Sequence, residues 1–159
     1  MIDVIFAIKF VHVLAAAAML GTWLALAIFR QLAHGSRNTS VVALVARFAV
    51  AVEWIVMVAA IALQPVSGFL LAVAVGVSPL DEWWLAISEI LFGLVAIAWV
   101  AAFLIQRRIR KLTHQAAIDS VRLPDGYYRL FRVYAVITWP AITATAIIFL
   151  LMVWQPRPL

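Results

Sequence analysis

The sequence predicts an all-α, polytopic membrane protein: a bundle of four transmembrane helices with both the N-terminus and the C-terminus outside. Three observations predict it. Of 159 residues, 67% are apolar or aromatic and only 12% are charged, against about 25% charged in an ordinary soluble domain. The apolar residues fall into four runs, each long enough to cross a hydrocarbon core about 30 Å thick. The basic residues gather in alternate connections. A spanning helix with its connection uses roughly 30–40 residues, so the reading is a single transmembrane domain over residues 1–159, with helices at about 4–30, 41–77, 83–106 and 127–154.

The first run, Val4 to Phe29, holds only Lys9 and His12 as titratable groups and stops at Arg30. It lacks the basic start and short apolar region of a cleaved signal peptide, so it reads as a retained helix. A polar break from His34 to Ser40 supplies turn and cap residues. The second run, Val41 to Val77, exceeds one perpendicular span, and its first turns are expected to protrude into the headgroups, with a kink near Pro65. Ser78-Pro79-Leu80-Asp81-Glu82 connects it to a third run that opens at Trp83-Trp84 and ends in Arg107-Arg108-Ile109-Arg110-Lys111. Leu123-Pro124-Asp125-Gly126 precedes the fourth run, which starts at Tyr127 and stops at Pro156 and Pro158.

The net charge of +5 is a topology signal before it is anything else. Connections one and three hold Arg30, Arg37, Arg107, Arg108, Arg110, Lys111 and Arg122, whereas connection two holds Asp81 and Glu82. The positive-inside rule puts the basic connections in the cytoplasm of a bacterial inner membrane. Trp83, Trp84 and Trp154 then mark the outer interface, with Tyr127 and Tyr128 at the inner one. The bias accounts for the charge without nucleic acid. Zero cysteines exclude disulfides, thiolate metal sites and cysteine nucleophiles.

Ionisable groups within the hydrocarbon are expensive unless paired, hydrated or bound. Lys9, His12, Glu53 and Glu89 are the candidates. His12 lies about 13 Å and Glu89 about 9 Å below the outer surface at 1.5 Å per residue, with Lys9 one turn outward of His12. Gln64, Ser67, Thr143 and Thr145 share this level; they either glue the helices by hydrogen bonds or contact a cofactor. Glu53 is expected to pair with Arg47 or to reach a headgroup. His12 is the candidate metal or haem ligand, Glu89 and Lys9 the candidate catalytic proton-handling groups, and Gln64, Ser88 and Thr143 the candidate cofactor contacts. No second intramembrane histidine exists to complete a bis-histidine haem site. Ala15 to Ala18, Gly21 and Gly68 allow the backbones to approach closely.

The opening Ile8-Lys9-Phe10-Val11-His12-Val13-Leu14, then Met19-Leu20-Gly21 and Phe29-Arg30, resembles the first helix of HemJ-type protoporphyrinogen oxidases. Trp84-Leu85, the basic stretch, Tyr128-Arg129-Leu130-Phe131 and Pro140 extend the likeness in outline. The resemblance implies a four-helix haem-binding membrane enzyme, with haem b as cofactor and His12 at the position of the family's histidine. The lysine that the family places after its Trp-Leu is met here by Ser88-Glu89, so that role does not carry over. The chain equally resembles a neighbouring group of predicted bacterial integral membrane proteins with the same outline and an ending in which Pro156 follows Met152. A weaker likeness is to CopD-type copper-resistance proteins.

Two further readings stand beside the haem- or porphyrin-binding one. The chain could be a non-catalytic accessory or assembly subunit that joins a homo-oligomer or a larger membrane complex through its small-residue faces. Alternatively, Glu89, His12 and Lys9 could form a proton pathway, although no inverted repeat or broken-helix pair marks a transporter site.

Overall fold

A computed structural model describes residues 2–78 and 81–156. Pro79 and Leu80 of the second connection, and Pro158 beyond the fourth run, lie outside the described residues. The chain forms α1 (Ile2–Gly35), a second span made of α2 (Thr39–Val52), a π-helical turn (Glu53–Met57) and α3 (Val58–Val75), then α4 (Trp83–Ile118) and α5 (Asp125–Trp154). Four spans result, each long and apolar enough to cross a membrane. No strand occurs among the described residues.

The boundaries follow local chemistry. α1 runs into the expected polar break and ends where Ser36 Oγ donates to the Ala33 carbonyl at 2.6 Å. Arg37 turns the chain with a left-handed φ of 54°. Asn38 caps α2, its side-chain oxygen accepting from the Ser40 and Val41 amides at 3.0 and 3.3 Å, two of the donors that a helix N-terminus leaves unpaired. Gly76, at φ 73°, closes α3, since only glycine takes that conformation without a Cβ penalty. Pro65 stays within α3, although it cannot donate the usual bond to the carbonyl four residues earlier. The departure from α geometry lies instead at Glu53–Met57.

Two sequence expectations about the basic end need correction. Arg107 to Lys111 are not in a connection: α4 continues to Ile118 and carries them on its own surface. Arg30 does not belong to the first connection either, being 6% exposed inside α1. The basic connections do meet at one end, where Thr39 Oγ1 donates to the Val121 carbonyl at 3.2 Å. That end is called the basic end below, and the opposite one, which carries the termini, the terminal end.

Helices α2 and α1 pack near the basic end with α4 and α5, while α3 packs chiefly on α1 and α4 on α5. The central core joins Met19, Trp23, Met57, Trp99, Ala141 and Ile142. A second core nearer the basic end joins Ala33, Val42, Ala46, Ala102, Ile109, Tyr127 and Tyr134. Alanines at the contacts let the helices approach, as membrane packing favours. Large apolar side chains such as Phe6, Ile55, Phe69, Ile97 and Val136 face outward, the arrangement a lipid solvent permits. Two expected belt residues are packed instead: Trp84 is buried, and Tyr127 is buried against His34. Trp83, Trp154 and Tyr128 are exposed.

Candidate functional site

At the terminal end, α1 and α3 bring His12 against Gln64, Ser67 and Gly68. The His12 Nδ1 lies 2.9 Å from Ser67 Oγ, and Ser67 in turn donates to the Leu63 carbonyl at 2.6 Å. With its proton committed there, the serine oxygen accepts from an Nδ1–H, which leaves Nε2 with its lone pair free. Gln64 presses on the same segment. With its amide nitrogen toward α1, it donates to the His12 carbonyl at 3.1 Å, stands 2.9 Å from Nδ1, and accepts from the Ala16 amide at 3.3 Å. Ser67 and Gln64 therefore select opposite tautomers of the same ring. A Cβ on Gly68 would stand 3.3 Å from His12 Cε1, so glycine is what lets α3 lie against the imidazole. His12 itself is only partly buried.

The other expected members are not gathered there. Ser88 is 1% exposed and donates to its own helix at the Trp84 carbonyl, 2.8 Å away. Glu89, one residue on and therefore about 100° round the helix, is exposed. The expected facing of His12 and Glu89 is thus corrected: the residue that α4 turns inward is the serine, not the carboxylate. Lys9 is exposed as well, and so is Thr143, which donates to the Trp139 carbonyl at 3.1 Å. Thr145, by contrast, is buried and bonds Ala141. No group of three or more His, Asp or Glu side chains suited to a metal ion occurs among the described residues.

A second polar site lies toward the basic end, and here the sequence reading was wrong about partners. Glu53 does not pair with Arg47, which is exposed. Its Oε1 accepts from Arg30 Nη2 at 2.8 Å, with both side chains buried. Arg30 Nη1 donates to the Tyr134 hydroxyl, and the guanidinium carbon lies 4.6 Å from the centre of the Tyr134 ring. Three spans are thereby tied through one cation. Glu53 opens the π-helical turn, a wider turn that recurs at functional positions in helices. Closer to the end of α1, His34 Nδ1 lies 3.0 Å from the Tyr127 hydroxyl, and its ring stacks on Phe131 at a centroid distance of 4.2 Å.

A family model described as predicted integral membrane protein (DUF2269) matches residues 6–156, nearly the whole chain, and the chain belongs to that family. No curated protein and no solved structure matches it.

Proposed function

We propose that this integral membrane protein binds a haem or porphyrin at its terminal end, with His12 as the axial ligand and haem b as the simplest occupant. The observation that supports the reading is the braced imidazole: Nδ1 hydrogen-bonded to Ser67, which is itself bonded to Leu63. A partner on one ring nitrogen fixes the orientation of the other, the arrangement that ligating histidines use. Gly68 leaves the ring its space. Gln64 braces the backbone of the same turn.

Two clefts beside Arg30 have room for about one water each, too little for a macrocycle, which would lie against the open side of His12. Lys9, one turn outward and exposed, is free to meet a porphyrin carboxylate. When bound, the haem would supply the electron chemistry of an oxidoreductase of the HemJ kind, while the protein positions and insulates it. The reading includes a bacterial inner membrane with the basic end in the cytoplasm, on the charge bias described above.

The test is an optical spectrum of the purified protein, oxidised and reduced, after expression with ample haem. A stoichiometric Soret band lost in His12→Ala is the expected result. Ser67→Ala should weaken haem affinity 10–100-fold, the usual effect of removing the group that orients a ligand. A spectrum without a Soret band after reconstitution would overturn the assignment.

A second reading has its own observation. Glu89 is exposed on a membrane-spanning helix, with no ion pair among the described residues, and a carboxylate facing hydrocarbon is costly. Burial against another subunit would relieve that cost, as expected of an accessory subunit of a larger membrane complex or of a homo-oligomer. Isolation from native membranes in mild detergent tests it: a stoichiometric partner, or a second copy, that is lost in Glu89→Leu supports the reading, and a lone chain in both cases refutes it.

A further inference from the structure

Toward the basic end, α2 and α4 bring arginines to one level with no acid between them. The two helices pack together and run in opposite directions. On one side of their seam Trp54 of the π-helical turn stacks on Phe103 at a centroid distance of 6.0 Å, and Phe103 on Trp99 at 5.6 Å. That stack fixes the register. Moving seven residues toward the basic end leads from Trp54 to Arg47 on one helix and from Phe103 to Arg110 on the other, in each case two turns, about 10 Å, and back to nearly the same side. Arg107 lies between Phe103 and Arg110 at helical spacing. The buried stripe of α4 here is Ala102, Gln106, Ile109 and Thr113, and Arg107 and Arg110 flank it on the Phe103 side, which meets α2.

All three arginines are exposed, and the one ion pair among the described residues is that of Arg30 with Glu53. Glu53, the acidic residue nearest to Arg47 in the sequence, is buried on Arg30 and does not serve them. Cations set close on two packed helices repel, so an anion among them relieves a repulsion as well as gaining three partners.

The occupant follows from depth and from the aromatic step below the charges. Counted from Trp83, the roughly twenty residues that cross a hydrocarbon core of about 30 Å end near Phe103. Trp54, 61% exposed, stands at the same level, where tryptophan is favoured. The arginines therefore sit among headgroups and the aromatic stack at the tops of the acyl chains. A phosphate that carries acyl chains matches both, whereas a free phosphate would use the arginines alone. The charge bias that orients the chain asks only that basic residues gather on one side; it does not ask that they converge from two helices over an aromatic step.

We infer that the α2–α4 seam at the basic end binds an anionic phospholipid, its phosphate held by Arg47, Arg107 and Arg110 and an acyl chain lying over Trp54 and Phe103. Planar guanidinium groups bond phosphate oxygens two at a time, and basic recesses between spans are places where membrane proteins hold such headgroups. The site does not depend on His12 or on any cofactor.

Native mass spectrometry of the intact protein, released from nanodiscs of mixed phosphatidylglycerol and phosphatidylcholine, tests it. One phosphatidylglycerol per chain should survive detergent washing, and phosphatidylcholine should not. Arg47→Gln, Arg107→Gln and Arg110→Gln together should lower the affinity for phosphatidylglycerol about 100-fold. Arg37→Gln, Arg122→Gln and Arg132→Gln together remove the same charge from outside the seam and should change it by less than about threefold, because distant charges are screened. Equal retention of the two lipids by the unmodified protein would overturn the proposal, whatever the variants do. Equal losses in the two triple variants would overturn it as well, leaving only general charge attraction. Displacement of the retained lipid by inorganic phosphate would make the ligand a free anion and overturn it too.

Discussion

Arg30 and Glu53 lie 23 residues apart on consecutive spans and meet at 2.8 Å with both side chains buried. A buried pair of this kind is costly to break singly, because the survivor is an unpaired charge, and less costly to replace as a unit. Arg30→Met and Glu53→Leu should each destabilise the bundle by about 3–5 kcal/mol. The double variant should recover most of that loss. Denaturant titration of the detergent-solubilised protein measures it, and a double variant as unstable as the sum of the singles would contradict the pairing.

Gly68 and Gly21 make a matched test of the contact at His12. A Cβ at Gly68 meets His12 Cε1 at 3.3 Å, whereas nothing lies within 4 Å of one at Gly21. Gly68→Ala should cost about 1 kcal/mol through overpacking and shift the His12 imidazole nitrogen resonances. Gly21→Ala should do neither. Nitrogen-15 spectra of the histidines, recorded beside a thermal melt, separate the two.

Neighbouring residues on α4 should respond in opposite ways. Ser88→Leu forces bulk into a position that is 1% exposed and should cost about 1–3 kcal/mol. Glu89→Leu, on the exposed face, removes a carboxylate from hydrocarbon and should leave the isolated chain at least as stable as before. Thermal melts of the two variants check the orientation of the helix; the reverse order would place the carboxylate inside.

Asn38 holds two amides at the start of α2. Asn38→Ala should cost about 1 kcal/mol. Hydrogen exchange should speed up first at Ser40 and Val41, and uniform exchange across the second span would argue against a local cap.

The four spans were legible because apolar length is a one-dimensional property, and the level shared by His12, Gln64 and Ser67 followed from residue counting alone. Rotation about each helix axis was not used, and the errors trace to that. Arg30 stands eighteen residues after His12, five whole turns at 3.6 residues each, and so points to the same side as the histidine; its place beside a connection disguised it as a topology signal. Glu89 failed for the complementary reason. Trp84, Ser88, Val95, Trp99, Ala102 and Gln106 repeat at helical spacing and are all buried, which leaves no room in that stripe for the residue after Ser88. The pairing of Glu53 needed both rotations, together with a π turn that no local sequence signal announces. Gln106 was hidden by the basic run that follows it, which was read as the end of the span when α4 had several turns still to go.

The wide turn at Glu53–Met57 sets the phase of everything after it. If the segment closed into a regular α-helix at unchanged chain length, the residue that the wide turn absorbs would advance the helix and α3 would rotate by about 100° relative to α2. Ser67 and Gln64 would swing off His12, although no residue near His12 had changed. Chain length in the middle of the second span therefore acts as an adjustable gear between its two ends. Homologous chains that keep a regular helix at this point are expected to carry a one-residue gap there, and so to present the same face of α3 to the first helix.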